Sequence, residues 1–180
     1  MSQEVKLSPN DLAFIALTNE YCHLLENISQ NGKDTFVTSL LKLLPRIYIA
    51  ATDLSMDFAF SDYEIDPYLT EENYDFLRNQ VAAVMAQDDV YLEVFLEDMK
   101  YSDTPIAATI SENLADLYQE FFNFVASVKD RPTTEQQELI GLCKDNFKNY
   151  WGQTLCNVLR ALHNCSYSIS DDDTDMSFIN

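Results

Sequence analysis

The chain has 180 residues, enough for one domain that buries its own core without disulfides or a structural metal. Its 30 Asp and Glu against 11 Lys and Arg give a net charge of −19, which repels nucleic-acid phosphates and anionic lipids and favours a partner with a basic surface. With 3 glycines and 5 prolines, the sequence has too few turn residues for an all-β fold.

The first predicted helix begins after Ser8, because a serine N-cap, Pro9 at the first helical position and Asp11 together match a capping box. The apolar spacing predicts that one side of this helix faces the core, namely Leu12, Ile15, Ala16, Tyr21 and Leu25. Asn31 and Gly32 end the helix or turn the chain.

A second helix is predicted from about Asp34, with an inward face formed by Phe36, Leu40, Leu43, Leu44, Ile47 and Tyr48. Pro45 lies inside this helix. Because proline removes a backbone donor and clashes with the preceding turn, we expect a kink or a break there.

The helical period fails from Ser55 to Leu69, where acids alternate with the aromatic residues Phe58, Phe60, Tyr63 and Tyr68. A loop of about 15 residues is uncommon in a compact domain and is often functional. The simpler interpretation is that the aromatic rings pack onto the helices while the acids stay in water. The four aromatic residues are nevertheless our candidates for contacts with a partner.

Thr70 is the predicted N-cap of a third helix that runs to about Ala86, with Phe76, Val81, Val84 and Met85 facing inward. Residues 88–95 fit either a strand or a short helix. Two more helices are predicted at residues 111–128 and 134–164, separated by Arg131 and Pro132. The last of them would be about 45 Å long, which suits the spine of a bundle.

The segment from Tyr68 to Tyr118 reads YLTEENYDFLRNQVAAVMAQDDVYLEVFLEDMKYSDTPIAATISENLADLY, and LRALH follows at 159–163. These phrases resemble the bacterial family of unknown function DUF5063. The resemblance implies a compact helical domain. It implies no activity, so no catalytic residue can be carried over to this chain.

Carboxylates with the spacing of metal ligands are present but incomplete. Glu112, Asp116 and Glu120 share one face of the 111–128 helix and are weak candidates for a metal site, although a solvated face is the simpler interpretation. The pair Glu20 and His23 lacks the second pair that a di-iron bundle requires. We therefore expect no cofactor.

Gly141 and Gly152 lie eleven residues apart, about three helical turns, on nearly the same side of the last helix. Two glycines on one stripe predict a close approach by another backbone or by a ligand. Arg160 and His163 continue roughly along that side and are candidates for anion binding. A structural ion pair between Arg160 and one of the many acids is the interpretation that we favour.

The sequence thus predicts a mainly α, single-domain bundle of about five helices with a long C-terminal helix and one irregular acidic-aromatic segment. The helical domain is expected over residues 1–166, followed by a disordered acidic tail over residues 167–180. The polar start of the chain favours a cytoplasmic protein. We expect a non-catalytic, acidic domain that binds another protein, and neither nucleic acid nor a membrane. The alternative is a metal-dependent hydrolase or nucleotide-processing enzyme that uses helix-borne carboxylates.

Overall fold

The computed structural model describes residues 6–30, 32–56, 64–93 and 106–167. These residues form helices and one small antiparallel sheet, in the order α1 (Pro9–Glu26), α2 (Lys33–Thr52), α3 (Glu71–Met85), β1 (Val90–Glu93), β2 (Ile106–Thr109), α4 (Ile110–Val128), α5 (Thr133–Asn146) and α6 (Gly152–Tyr167). A π turn, Phe147–Trp151, joins α5 to α6, so the two form one continuous helix. The predicted helical bundle with a long C-terminal helix is therefore confirmed.

The predicted helix starts are present. The Ser8 hydroxyl accepts from the backbone N–H of Asp11, and the Asp11 carboxylate accepts from the backbone N–H of Ser8, which completes the capping box. Thr70 caps α3 by accepting from the backbone N–H of Asn73. These caps satisfy N–H groups that lack a partner within the helix, and so they fix where each helix begins.

An aromatic cluster at the centre of the bundle joins α1, α4 and the π turn. The ring of Phe14 lies 5.5 Å from that of Phe124 and 6.2 Å from that of Trp151. Phe121 meets Trp151 edge to face at 5.0 Å, and Tyr21 meets Phe121 in the same way at 5.2 Å. Such pairs contribute about 0.5–1.5 kcal/mol each beyond the burial of their surface. The core thus depends on helices that are far apart in the chain.

The predicted inward face of α1 is partly wrong. Leu12 and Ala16 are exposed, while Asp11 and Thr18 are fully buried. Both polar side chains are satisfied, because Asp11 accepts hydrogen bonds from Ser8 and Ser55, and the Thr18 hydroxyl donates to the carbonyl of Phe14 at 3.0 Å. A buried polar group is tolerated when it has hydrogen-bond partners. The apolar pattern of the sequence does not reveal such partners, so it assigns the wrong residues to the buried face of α1.

Pro45 does not break α2, which runs from Lys33 to Thr52. Buried residues on both sides of the proline hold one continuous face against α1 and α6, namely Phe36, Val37, Leu40, Leu43, Leu44, Ile47, Ala50 and Ala51. The cost of a proline inside a helix, about 3 kcal/mol, is small beside the burial of that face. The predicted break is therefore wrong. The predicted inward position of Tyr48 is also wrong, because its side chain is partly exposed.

Within residues 88–95, where the sequence fits either a strand or a short helix, Val90–Glu93 form a strand. Strands β1 and β2 pair antiparallel, with Val90 opposite Thr109 and Glu93 opposite Ile106. Asp89 holds the base of this hairpin against α4, because its carboxylate accepts hydrogen bonds from the backbone N–H and the hydroxyl of Ser111, both at 2.8 Å. The hairpin is thereby fixed beside the start of α4.

Candidate functional site

An exposed acidic-aromatic surface covers the first turns of α3. We call it the α3 surface and define it as Tyr68, Glu71, Glu72, Asp75 and Phe76. The Phe76 side chain is 63% exposed, although the apolar pattern predicts an inward position. Glu72 and Phe76 are neighbours one turn apart, as are Glu71 and Asp75. An aromatic ring among carboxylates can pack on the aliphatic stem of a basic side chain while the acids bind its charge.

Tyr68 is the one of the four candidate aromatic residues in the acidic-aromatic segment that the structure describes. It is half exposed, and its hydroxyl lies 3.4 Å from the carboxylate of Asp66. Asp66 in turn pairs with Arg131 at 2.9 Å. This pair fixes the stretch before α3 to the loop before α5, and so it positions Tyr68. Phe58, Phe60 and Tyr63 lie outside the described residues.

Two of the three candidate carboxylates of α4, Asp116 and Glu120, accept hydrogen bonds from neutral donors. Asp116 accepts from the hydroxyl of Tyr74 at 2.6 Å and from that of Tyr150 at 3.3 Å, and Glu120 accepts from the amide of Asn146 at 3.2 Å. Burial and the nearby Asp116 charge raise the pKa of Tyr150 to about 12. These donors offset the repulsion that the sequence predicts among the three acids. Glu112 is exposed at the start of the helix.

The two residues of the incomplete di-iron pattern contact separate partners. Glu20 pairs with Arg46 at 3.8 Å, and His23 lies 3.3 Å from the carboxylate of Glu26. In the part of the chain that the structure describes, no three side chains of His, Cys, Asp or Glu are arranged to hold a metal ion. The geometry therefore gives the hydrolase alternative no site among these residues.

A cavity of about 370 Å³ separates β1 from α6. All four residues of β1 line it, and no residue of β2 does. Among the described residues β1 pairs with β2 alone, so its other edge has no strand partner there. The outward side chains Val90 and Leu92 are 62% and 60% exposed. On the opposite wall, Arg160 and Asn164 project from α6. An unpaired strand edge beside a helix is suited to an extended polypeptide segment.

Two further cavities continue this one along α6, and we call the three together the α6 groove. One, of about 490 Å³, shares Asn157 with the first and extends to Tyr48, Phe147, Lys148 and Gly152 at the π turn. The other, of about 330 Å³, extends past Asn164 to Cys165. The groove thus follows α6 from Gly152 to Cys165, a span of about 20 Å at 1.5 Å per residue.

The acids that line the groove already have partners. Glu93 accepts from the amide of Asn157, and Asp88 pairs with Lys33. Tyr91 also lines the groove, where the amide of Asn113 donates to its hydroxyl, and burial raises the pKa of that hydroxyl to about 12. The lining of the groove contains two acids, Glu93 and Asp88, and two bases, Arg160 and Lys148, among apolar and neutral polar side chains.

The structure separates the two candidate anion-binding residues. Arg160 lines the groove, whereas the exposed ring of His163 lies 4.7 Å from that of Tyr167 and does not line any of the three cavities. The predicted close approach at Gly152 is made by the chain itself. A Cβ there would lie 2.6 Å from the carbonyl oxygen and 2.8 Å from the ring of Phe147.

Sequence reasoning missed both Phe76 and the β1 side of the groove. Phe76 is one residue from the buried Leu77, about 100° away around the helix axis, so an inward face assigned one residue too early includes Phe76 instead of Leu77. Val90 and Leu92 alternate with Tyr91 and Glu93, a strand pattern that was too short to recognise. In the described residues, no helix is both long and apolar enough to cross a membrane.

Comparison with known proteins supports the fold and gives no activity. The profile of a family described as a domain of unknown function matches residues 5–168. The crystal structure of protein BF1032 from Bacteroides fragilis, a structural genomics target, superposes with a TM-score of 0.80 at 33% identity, over 91% of this chain and 96% of that one. A search of curated proteins gave no match.

Proposed function

Since the chain belongs to this family of unknown function, DUF5063, we propose a role from its surface: a non-catalytic, acidic domain that binds another protein, one with a basic surface. The observation that supports the proposal is Phe76, a large apolar side chain that is 63% exposed beside carboxylates. Exposed aromatic residues are typical of protein interfaces. The α3 surface would supply the contact.

Charge supports the same proposal. The net charge of −19 attracts a basic protein from a distance and speeds its encounter, and this effect falls as salt screens it. Asp75 on the α3 surface is already paired with Arg78 at 3.1 Å. Glu71 and Glu72 are exposed in the first turn of α3, where the helix dipole also favours them. We therefore expect Glu71 and Glu72 to contribute the charged contacts and Phe76 the apolar one.

The alternative, a metal-dependent hydrolase or nucleotide-processing enzyme, requires several carboxylates that converge on one cavity. Asp116 and Glu120 of α4 instead accept hydrogen bonds from tyrosine and asparagine side chains. The geometry of the described residues therefore favours the binding function.

The test is capture of partners from a native bacterial lysate on the immobilised chain, at low salt and then at high salt. We expect a partner that is retained at low salt, is released at high salt, and is lost when Phe76→Ser or Glu71→Gln with Glu72→Gln is immobilised. Leu12→Ser is the matched control, because Leu12 is also exposed, at 56%, but lies on α1. A partner that binds the Phe76→Ser variant as well as the unaltered chain would refute the role of the α3 surface.

A further inference from the structure

The exposed side of α3 continues beyond the α3 surface toward the end of the helix. Glu72, Phe76, Asn79 and Ala83 are all exposed and follow each other at three or four residues, so they lie on one side of α3. We call these four residues the α3 stripe. It is about 16 Å long, eleven residues at about 1.5 Å each. A contact made at Phe76 can therefore extend along three turns of the same helix.

The two ends of the α3 stripe differ in charge. Glu71 and Glu72 are exposed at its start. Residues 79–87, by contrast, read NQVAAVMAQ and contain no charged side chain, in a chain whose residues are 23% charged. The acid that follows, Asp88, is already paired with Lys33. A ligand that covers the whole stripe therefore needs positive charge at one end only.

The uncharged end of the α3 stripe has small side chains, which allow a second helix to approach closely. Rows of residues four apart form the ridges and grooves by which helices pack, with about 8–10 Å between their axes. In α3 the row of Asn79 and Ala83 is low beside the row of Phe76. An apolar side chain of a partner helix can thus lie against the ring of Phe76 and above Ala83.

Helix dipoles favour one direction for such a partner. The last turn of a helix carries partial negative charge, so lysine and arginine are most favourable there. If those basic residues also meet Glu71 and Glu72 in the first turn of α3, the two helices run antiparallel. We propose that the α3 stripe binds an amphipathic helix of the partner protein, antiparallel to α3, with basic residues in the last turn of that helix and apolar residues before them. This inference rests on the function proposed above and specifies the partner.

The test is the binding of a defined synthetic peptide. The peptide is a helix of about 16 residues with leucine on one side, alanine and glutamine elsewhere, and lysine in its last turn. Fluorescence anisotropy of the labelled peptide gives its Kd for the full chain. We expect Phe76→Ser to weaken binding about thirtyfold, as for a central aromatic residue of an interface. A proline in the middle of the peptide, which breaks its helix, should abolish binding.

Ala83→Gln separates packing along the α3 stripe from attraction by charge. Glutamine is an uncharged, good helix former, but its longer side chain fills the space above residue 83. We expect the Kd of the peptide to rise about tenfold. Ala13→Gln is the matched control, because Ala13 is also exposed but lies on α1, and it should leave Kd unchanged. A general attraction of lysine to the net charge of −19 would give equal Kd values for the two variants and would overturn the proposal.

Cross-links give the direction of the bound helix, because trypsin cleaves after Arg78, between Phe76 and Asn79. A photoreactive residue at the N-terminal end of the peptide should attach to the tryptic fragment 79–100, and one at the C-terminal end to the fragment 47–78. The reverse assignment would show a parallel helix and overturn the proposal. Cross-links from one end to both fragments would overturn it as well.

The failure of this inference can be distinguished from the failure of the proposed function. No saturable binding of the peptide, or a Kd that Phe76→Ser leaves unchanged, would overturn the inference. Equal binding of the proline-containing peptide would show that the segment bound at Phe76 is extended, which overturns the helical partner and keeps the α3 surface. The proposed function has a separate readout, the loss of the lysate partner from the Phe76→Ser variant.

Discussion

Gly152 donates its backbone N–H to the carbonyl oxygen of Phe147, five residues earlier, and the ring of Phe147 lies where a side chain on Gly152 would project. The π turn thus requires glycine at this position. The turn also carries Trp151, whose indole N–H donates to the carbonyl of Cys143 at 3.3 Å. Gly152 is therefore a structural requirement of the central aromatic cluster.

We predict that Gly152→Ala lowers the free energy of unfolding by about 2–3 kcal/mol, because the new Cβ overlaps the Phe147 carbonyl and ring. Urea unfolding followed by tryptophan fluorescence measures this loss, since Trp151 lies in the same turn. Gly32→Ala is the control, because a Cβ on Gly32 would have no heavy atom within 4 Å. Equal losses from the two substitutions would contradict this explanation.

Ala86→Gly should stabilise the protein. Ala86 ends α3 with φ of 51° and ψ of −121°, a conformation that side chains disfavour and glycine adopts freely. We expect a gain of about 1 kcal/mol, which raises Tm by about 2–4 °C in a domain of this size. Ala83→Gly, at an exposed position inside α3, should instead cost about 1 kcal/mol. Calorimetry of both variants checks the opposite signs.

Asp11→Asn should destabilise the protein at neutral pH and much less in acid. Burial alone would raise the pKa of Asp11, but hydrogen bonds from Ser55 and Ser8 outweigh it and hold the pKa below the ordinary value. The charged carboxylate therefore stabilises the fold above the ordinary aspartate pKa of about 3.9, and this contribution disappears as the pH falls through the lower, folded-state pKa.

We expect Asp11→Asn to cost about 1–3 kcal/mol at pH 7, because the amide offers a donor to groups that themselves donate. Urea unfolding from pH 7 downward gives the difference between the two proteins. That difference should shrink below about pH 4. A difference that stays constant with pH would show that the charge of Asp11 plays no part.

Glu120→Gln should have the opposite pH dependence. Burial, with a contribution from the Asp116 charge, raises the pKa of Glu120, although the Asn146 amide opposes the shift. A raised folded-state pKa favours the fold at acidic pH, and that contribution is lost as the pH rises through it. Glu120→Gln should therefore stabilise the protein at pH 7 by about 0.5 kcal/mol and change nothing in acid. A loss of stability at pH 7 would refute this explanation.

The helices, their caps and the long C-terminal helix could be predicted because short-range rules decide them: Ser8, Thr70 and the apolar period suffice. The details that failed depend on distant residues. Asp11 is buried because Ser55, 44 positions later, binds it. Pro45 lies inside a helix because α1 and α6 cover the face on both sides of it. Neither partner can be inferred from the local pattern.

The candidate surfaces were harder to predict for a similar reason. Arg160 was identified as a candidate, but its neighbours in the groove belong to β1, whose four residues are too few for a periodic signal. His163 shares the helix with Arg160 and yet lies outside the groove. Sequence spacing shows which residues share a helix face, whereas a groove is defined by the element that packs opposite.

The hydrogen bonds from Ser111 of α4 to Asp89 join two complementary halves of the chain. The first half contributes α1, α2, α3 and β1, and the second contributes β2, α4, α5 and α6. Neither half has a closed core, because Phe14 from the first packs against Phe124 and Trp151 from the second. Two separately made polypeptides, divided within residues 94–105, should therefore associate and rebuild the fold. The Asp89–Ser111 hydrogen bonds and the aromatic cluster would then hold the two polypeptides together without a covalent link between them. This property makes the chain suitable for fragment complementation.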